Sequence, residues 1–485
     1  MSKRKRLHPV AIFLLSFSAL KELIIPMVAA FIFGRGATPL DSSFTAYFIS
    51  GGFLVLGLYG YLKWLTFTYE IDDQQLKIRQ GIFIKKQRYI RKERIYSIDI
   101  TAGVLQRLFH LVAVKVETAG GGNEPEVSLT AVTEQDADFL KNQLLISHSQ
   151  EEVSEVDNEA IQIPLSPETE FKNDTVWKLS NQNLLLTALT SSGVGIVLMA
   201  LIALLSQLEG WIPDEFLIDT FGYLFQSSII FLIIPVMIII ILAWFVSIIG
   251  TVIKYGKFTI NKKGDEIEIT RGILEKRQLT LSLTRITAIR VVESILRQPF
   301  GLATVYVESA GGGSKDEQLS TVLFPIVRKK QLLEQLAEIV PEYAFEQPLE
   351  PLPKRARKRY IIRKLIPAAL IAVPLIYFIP YGSVGATILL GLALLLGSLQ
   401  YKNAGIGINS RFLWISFRTI SKTLVIIPKR RIQAIEARQS FIQRFRSLFT
   451  VQASILTSIS GKSFSSVDVG EEQKDAVLAW YSYKK

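Results

Sequence analysis

RITAIRVVESILRQPFGLATVYVESAGGG, residues 285–313, has two relatives within the same chain: RIYSIDITAGVLQRLFHLVAVKVETAGGG from Arg94 and RIQAIEARQSFIQRFRSLFTVQASILTSI from Arg431. All three open on Arg-Ile, carry a Gln/Arg pair a dozen residues later, and run on into an apolar, strand-like stretch. Arg94, Arg285 and Arg431 fall in register, as do Gln106/Arg107, Arg297/Gln298 and Gln443/Arg444. Self-similarity at this spacing marks a repeated structural unit. Upstream of each core lies period-two apolar patterning broken by turn residues, in 67–83, 258–274 and 406–418, which predicts antiparallel strands and hairpins. Downstream, TEQDADFLKNQLL from Thr133, VRKKQLLEQLAEIV from Val327 and EEQKDAVLAWYSY from Glu471 predict a closing helix, Thr133 serving as an N-cap. A mostly-strand unit with one terminal helix is used three times.

The segments between these units are apolar. Leu184–Leu205 and Ser227–Ile253 contain no charge, and Phe44–Leu62 is a third stretch of this kind. Each is long enough, at about 1.5 Å per residue, to cross a hydrocarbon core of about 30 Å. The uncharged run Leu365–Gln400 is too long for one span, and Pro380-Tyr381-Gly382-Ser383 turns it into a hairpin. Val10–Phe33 carries Lys21 and Glu22 at its centre. It reads as a span whose Lys–Glu pair faces neighbouring helices, or as an interfacial helix to Leu20 followed by a shortened span. The expected fold class is therefore α-helical membrane hairpins plus β-rich domains: six transmembrane helices in three pairs, each followed by an antiparallel β domain with a C-terminal helix. The expected division is hairpin 1–66, β domain 67–147, acidic linker 148–180, hairpin 181–255, β domain 256–345, basic linker 346–364, hairpin 365–400 and a diverged β domain 401–485.

Charge gives the expected orientation. Basic clusters precede the first and fifth spans (Lys3 to Arg6; Lys354 to Lys364) and follow the fourth, whereas 206–226 holds four acids and no Lys or Arg. By the positive-inside rule both termini and the three polar segments are cytoplasmic. A net charge of +12 in a chain whose basic residues track membrane flanks points to anionic lipid rather than nucleic acid. With no cysteine, disulfides and thiol chemistry are excluded, and three scattered histidines suggest no metal site. Gly461-Lys462-Ser463 has the tail of a P-loop, but Leu456 stands where its first glycine belongs. No nucleophile elbow or H-E-x-x-H occurs. No catalytic residue and no cofactor are expected.

Two spans followed by R-I-x-x-I, a Gln/Arg pair and a strand ending in glycines resembles the membrane-flanked bacterial pleckstrin-homology-like domain family, over essentially the whole chain. The resemblance implies a PH-type fold of two curved antiparallel sheets closed by a helix, and a bacterial plasma-membrane location. It also implies a role in envelope stress or antimicrobial-peptide protection, with a smaller single-repeat partner. Repeat three departs most from the pattern, with Ser454 at the place of Glu117 and Glu308 and no glycine run.

The residues suggest several roles. VETAGGG (116–122) and VESAGGG (307–313) read as strand-to-hairpin exits. A phosphate nest is disfavoured by the adjacent Glu117 and Glu308. Arg94 and Arg285 either touch acidic headgroups or pair structurally with Glu117 and Glu308. Lys85, Lys86, Arg88, Arg91, Lys92, Lys429 and Arg430 are candidate lipid-facing residues, since each basic side chain near an anionic leaflet contributes about 1 kcal/mol. Two functions fit: a non-enzymatic scaffold assembling with itself or a partner, or a lipid- or amphipathic-peptide-handling protein with Lys21/Glu22 on an intramembrane path.

Overall fold

A computed structural model describes residues 4–20, 42–72, 75–118, 126–145, 175–191, 193–208, 229–309, 320–344, 349–378, 382–457 and 461–482. Each repeat contributes seven strands. The first has β1 (Lys5–Arg6), β2 (Thr68–Ile71), β3 (Gln75–Gln80), β4 (Lys86–Arg91), β5 (Ile95–Ala102), β6 (Leu111–Thr118) and β7 (Val127–Thr133). The second has β8 (Thr175–Lys178), β9 (Thr259–Lys263), β10 (Glu266–Arg271), β11 (Lys276–Ser282), β12 (Ile286–Glu293), β13 (Leu302–Ser309) and β14 (Thr321–Arg328). The third has β15 (Glu350–Pro351), β16 (Gly405–Ile408), β17 (Phe412–Arg418), β18 (Lys422–Pro428), β19 (Ile432–Arg438), β20 (Leu448–Leu456) and β21 (Gly461–Gly470). Every adjacent pairing is antiparallel.

The alternating stretches form the expected hairpins. In β9–β10 the turn is closed by Gly264 at φ +55°, a left-handed conformation that favours glycine. Closing helices follow at Glu134–Leu145, Leu332–Ile339 and Glu471–Tyr481. Thr133 caps the first, its hydroxyl accepting from the Asp136 N–H at 3.2 Å.

The apolar segments are placed differently from the expected division. β1, β8 and β15 precede the apolar hairpins in sequence, yet each pairs with the strand that follows its hairpin: Arg6 opposite Thr68, Trp177 opposite Ile260, and Glu350 opposite Ile406. The hairpins are thus inserted inside the β units rather than set ahead of them. Residues 175–178 and 350–351, expected in linkers, are sheet strands. Such short two- to four-residue strands carry too little periodicity to be read from sequence.

Three described helices are long and apolar enough to cross a membrane: Val236–Tyr255, Lys354–Phe378 and Gly382–Asn403. Asn181–Leu189 and Val194–Ala203 make a fourth only if that broken pair counts as one span, so the expected six are not reached among the described residues. The Leu365–Gln400 run does divide as expected, one helix ending at Phe378 and the next starting at Gly382. Lys21 and Glu22, the acidic segment 148–174 and the glycines at 120–122 and 311–313 lie outside the described residues.

Two compact units result. One holds repeat one together with β11, in a sheet β1-β2-β3-β4 and a second run β7-β6-β5-β11. Its core joins Leu7, Ala11 and Leu15 to Tyr69, Leu76, Ile98, Val114 and Leu129. Each fully buried aliphatic side chain contributes about 1.5–3 kcal/mol. The other unit holds β8-β9-β10, a seven-stranded sheet β14-β13-β12-β18-β17-β16-β15, and the three-stranded β19-β20-β21.

Candidate functional site

The distinctive geometry of this chain lies where one repeat meets the next. The fifth strand of repeat one, β5, pairs with β11, the fourth strand of repeat two. The fifth strand of repeat two, β12, pairs with β18, the fourth strand of repeat three. The register is the same at both junctions. Lys276 and Lys422, each nine residues before the register arginine of its own repeat, stand opposite Ala102 and Glu293, each eight residues after theirs. Likewise Ile98 faces Thr280, and Ile289 faces Ile426.

Buried charge fixes each junction in addition to the backbone ladder. Asp99 on β5 receives Arg277 of β11, with Arg277 Nη2 2.8 Å from Oδ2 and Nε donating to Oδ1 at 3.0 Å. Glu293 at the end of β12 holds Lys329 at 2.6 Å and Lys422 of β18 at 3.5 Å. Arg418 of repeat three donates to the side-chain oxygen of Gln298 in repeat two.

Deeper in the second unit, Glu308 is fully buried. Its carboxylate takes Arg290 Nε at 3.1 Å and Lys462 Nζ at 2.8 Å, and accepts from the Ser320 hydroxyl at 2.9 and 3.0 Å. Burial pushes the Lys462 ammonium below the ordinary lysine range, with Glu308 opposing that shift. Lys462, the residue that gave 461–463 its P-loop appearance, is therefore a counter-ion.

Arg285 and Glu308, expected to pair, take other partners. Glu308 stands opposite Ala288, so the same-face diagonal neighbour that reaches it is Arg290. Arg285 ends a 3₁₀ turn and donates to the backbone carbonyls of Ile95 and, at 3.3 Å, Glu93. In repeat one, Glu117 accepts from Ser97 at 2.9 Å while Arg94 is exposed at the end of its own 3₁₀ turn, and no Arg94–Glu117 ion pair stands among the described residues. In repeat three, Ser454 at the glutamate position shares a hydrogen bond with Ser463 at 2.9 Å, and Arg431 is half-buried.

The basic candidates separate. Lys85, Lys86, Arg88 and Arg91 are exposed, Arg88 lying 3.0 Å from Glu126. Lys92, at the start of its 3₁₀ turn, is only 8% exposed and so is not lipid-facing. Arg430 grips Glu342 at 2.6 Å, and Lys429 lies 5.3 Å over the Trp480 ring. Sequence reading passed over Asp99, Arg277 and Arg290, and weighed Lys462 only as the tail of a P-loop. The signal for two of them was present: a lone charge inside an otherwise apolar strand, as in IYSIDITA and ITAIRVVE, is buried only with a partner.

No cluster of metal-ligating side chains occurs among the described residues. Comparison with known proteins accounts for the threefold build, because the bacterial PH domain profile matches residues 12–147, 184–343 and 365–485. The chain belongs to the bacterial PH domain family. It is also similar over its full length to the UPF0699 transmembrane protein YdbT of Bacillus subtilis (strain 168), at 37% identity over 499 residues, covering 100% of this chain and 99% of that protein. Each bacterial PH segment so matched begins after the short strand that precedes its hairpin, so β1, β8 and β15 fall outside all three matches.

Proposed function

We propose that this protein is a non-enzymatic membrane scaffold that assembles head to tail through its PH-like repeats, with the soluble repeats and both termini on the cytoplasmic face of a bacterial plasma membrane. One observation carries this reading: the fifth strand of each repeat takes the fourth strand of the next, and the series stops with two strands unfilled. Among the described residues, β19 pairs only with β20, and β4 only with β3. An edge strand presents a row of unpaired backbone groups that templates further pairing.

The occupant is a second copy of this chain. Carrying the junction register over to β19 and a second copy's β4 sets Ile435 opposite Tyr89 and Glu436 opposite Arg88, an apolar–aromatic pair and an opposite-charge pair. Basic residues on β4 do not bar such pairing, since Lys276 and Lys422 begin the fourth strands at both filled junctions. A contact between two different surfaces is heterologous and builds rings or open chains. The basic flanks add attraction to anionic lipid. The family resemblance suggests envelope protection as the setting for this scaffold and offers the alternative occupant, a smaller single-repeat partner.

Charge reversal tests assembly in the full-length protein, by light scattering in mild detergent. Glu436→Arg and Arg88→Glu are each expected to reduce the assembled mass, and the two together to restore it. A monomeric wild-type protein, or variants that assemble like wild type, would sink the proposal.

A further inference from the structure

The residue twelve positions after the register arginine is glutamine in repeats one and three. Gln106 donates to the Thr130 carbonyl at 2.8 Å, and Gln443 to Asp468 at 2.9 Å. In repeat two it is Arg297, and the change alters the chemistry of its surroundings. Arg297 is only 6% exposed. Its Nε donates to Thr190 Oγ1 at 3.0 Å; Nη1 donates to Thr304 Oγ1 and, at 2.8 Å, to the Pro325 carbonyl; Nη2 reaches the Thr187 carbonyl at 3.5 Å. All these partners are neutral, and among the described residues no carboxylate lies within ion-pairing distance of it. A buried guanidinium stays charged, and a buried charge calls for a counter-ion. The cations Arg277, Arg290 and Lys462 each have a carboxylate, and Arg297 has a cavity.

That cavity holds about 120 Å³ and is lined by hydroxyls, among them Thr190, Ser191, Thr251, Ser294, Tyr306 and Ser421. The Ser294 hydroxyl is buried and has no hydrogen-bond partner. Four of the five guanidinium N–H groups are used, which leaves one on Nη2. The cavity lies against the last turn of the apolar span Val236–Tyr255, which supplies Thr251 and Tyr255, and against the break after helix Asn181–Leu189. On Arg297's own loop, Ile295, Leu296 and Phe300 are exposed, Phe300 by 72%. Repeats one and three expose apolar side chains at the matching places, Val104 and Leu105, and Phe441 and Ile442. An apolar loop tip beside the polar end of a membrane span is suited to the region where acyl chains meet headgroups.

We propose that the Arg297 cavity binds a phosphate-class anion, the phosphodiester headgroup of an anionic lipid, with Ile295, Leu296 and Phe300 lying against its acyl chains. The guanidinium supplies the charge, Ser294 and the remaining Nη2 hydrogen supply donors, and the loop tip selects lipid over soluble phosphate. Repeats one and three, with glutamine at this place, insert their tips without capturing a headgroup.

The test uses the full-length protein, delipidated in a neutral detergent, and follows its thermal unfolding. The probes are phosphatidylglycerol, phosphatidylcholine and inorganic phosphate. The variant is Arg297→Gln, the residue that the other two repeats carry. Phosphatidylglycerol is expected to raise the wild-type Tm, with Arg297→Gln weakening the apparent affinity by roughly tenfold or more, the scale of one lost charge-assisted contact. Ser294→Ala keeps the charge, guards against misfolding of the arginine variant, and is expected to weaken binding by a few-fold. Stabilisation by phosphatidylglycerol alone supports the headgroup, and equal stabilisation by inorganic phosphate keeps the anion site but overturns its lipid source. No anion-dependent shift in wild type, or an equal shift in Arg297→Gln, overturns the site.

Discussion

β11 and β18 on one side, and β4 on the other, are the same strand of the repeat in three copies, and their burial differs sharply. Along β4 only Ile90 is buried, whereas β11 buries three consecutive residues and β18 buries its last four. The fifth strands differ in parallel: β12 is almost wholly buried, while β19 is buried only at Ile432. What separates the copies is whether a neighbouring repeat is present to cover them. On the proposed assembly, the exposed β19 of one copy and the exposed β4 of another are the two halves of one interface.

On this contrast, the filled junctions are where single substitutions hurt most. Glu308→Ala leaves the half-buried Arg290 and Lys462 without their carboxylate and is expected to cost about 3 kcal/mol, the low end of the range for breaking a buried ion pair from one side. Ser454→Ala, at the matching place beside the open edge, is expected to cost under about 1 kcal/mol. Equal losses in chemical unfolding would erase the distinction. Asp99→Ala at the other junction is expected to cost about 3 kcal/mol by the same reasoning, with Arg277→Met beside it recovering part of the loss.

Alkaline pH sharpens the comparison from the open side. Burial, and secondarily the charge of Asp136, pushes the Tyr69 phenol in the β4-bearing sheet up to about 12. The unfolded chain ionises near pH 10, so the native state holds the proton longer. The associated stability is complete below pH 10 and is lost as pH rises towards about 12, a fall of about 2–3 kcal/mol for two pKa units. Tyr69→Phe is expected to remove that part of the pH dependence, and unchanged alkaline melts in the variant would contradict it. The smallest effect is expected at Arg438, which is exposed and bound to Glu436 at 2.5 Å. In the transposed register it faces Lys86 of the second copy, so Arg438→Ser should tighten assembly slightly, measured as a lower dissociation concentration.

Much of this fold was legible because the repeats comment on one another. Period-two patterning located the hairpins, Thr133 located a helix start, and Pro380 to Ser383 located the break between two spans. The short strands β1, β8 and β15 were not legible, since no pattern in two to four residues signals pairing with a strand on the far side of a hairpin. Nor were the junctions: matching Arg-Ile starts show that units repeat, but not that strand four of one completes strand five of another. The Arg285–Glu308 expectation failed because sequence distance took no account of the diagonal that brings Arg290 to the carboxylate. Arg297 was visible as a register mark, but its burial depends on packing against a broken helix.

The central claim is that β19 of one molecule receives β4 of another in the register of the internal junctions. The chain has no cysteine, so introduced ones report cleanly. Protein carrying only Tyr89→Cys is mixed with protein carrying only Ile435→Cys and oxidised in mild detergent, each variant alone serving as control. Directly opposed strand residues lie close enough for a disulfide. The account predicts an efficient one-to-one disulfide dimer in the mixture, and a much weaker one when Glu436→Cys replaces Ile435→Cys. No mixed dimer, or capture of a different protein by the Ile435→Cys thiol in place of the Tyr89→Cys partner, would contradict it.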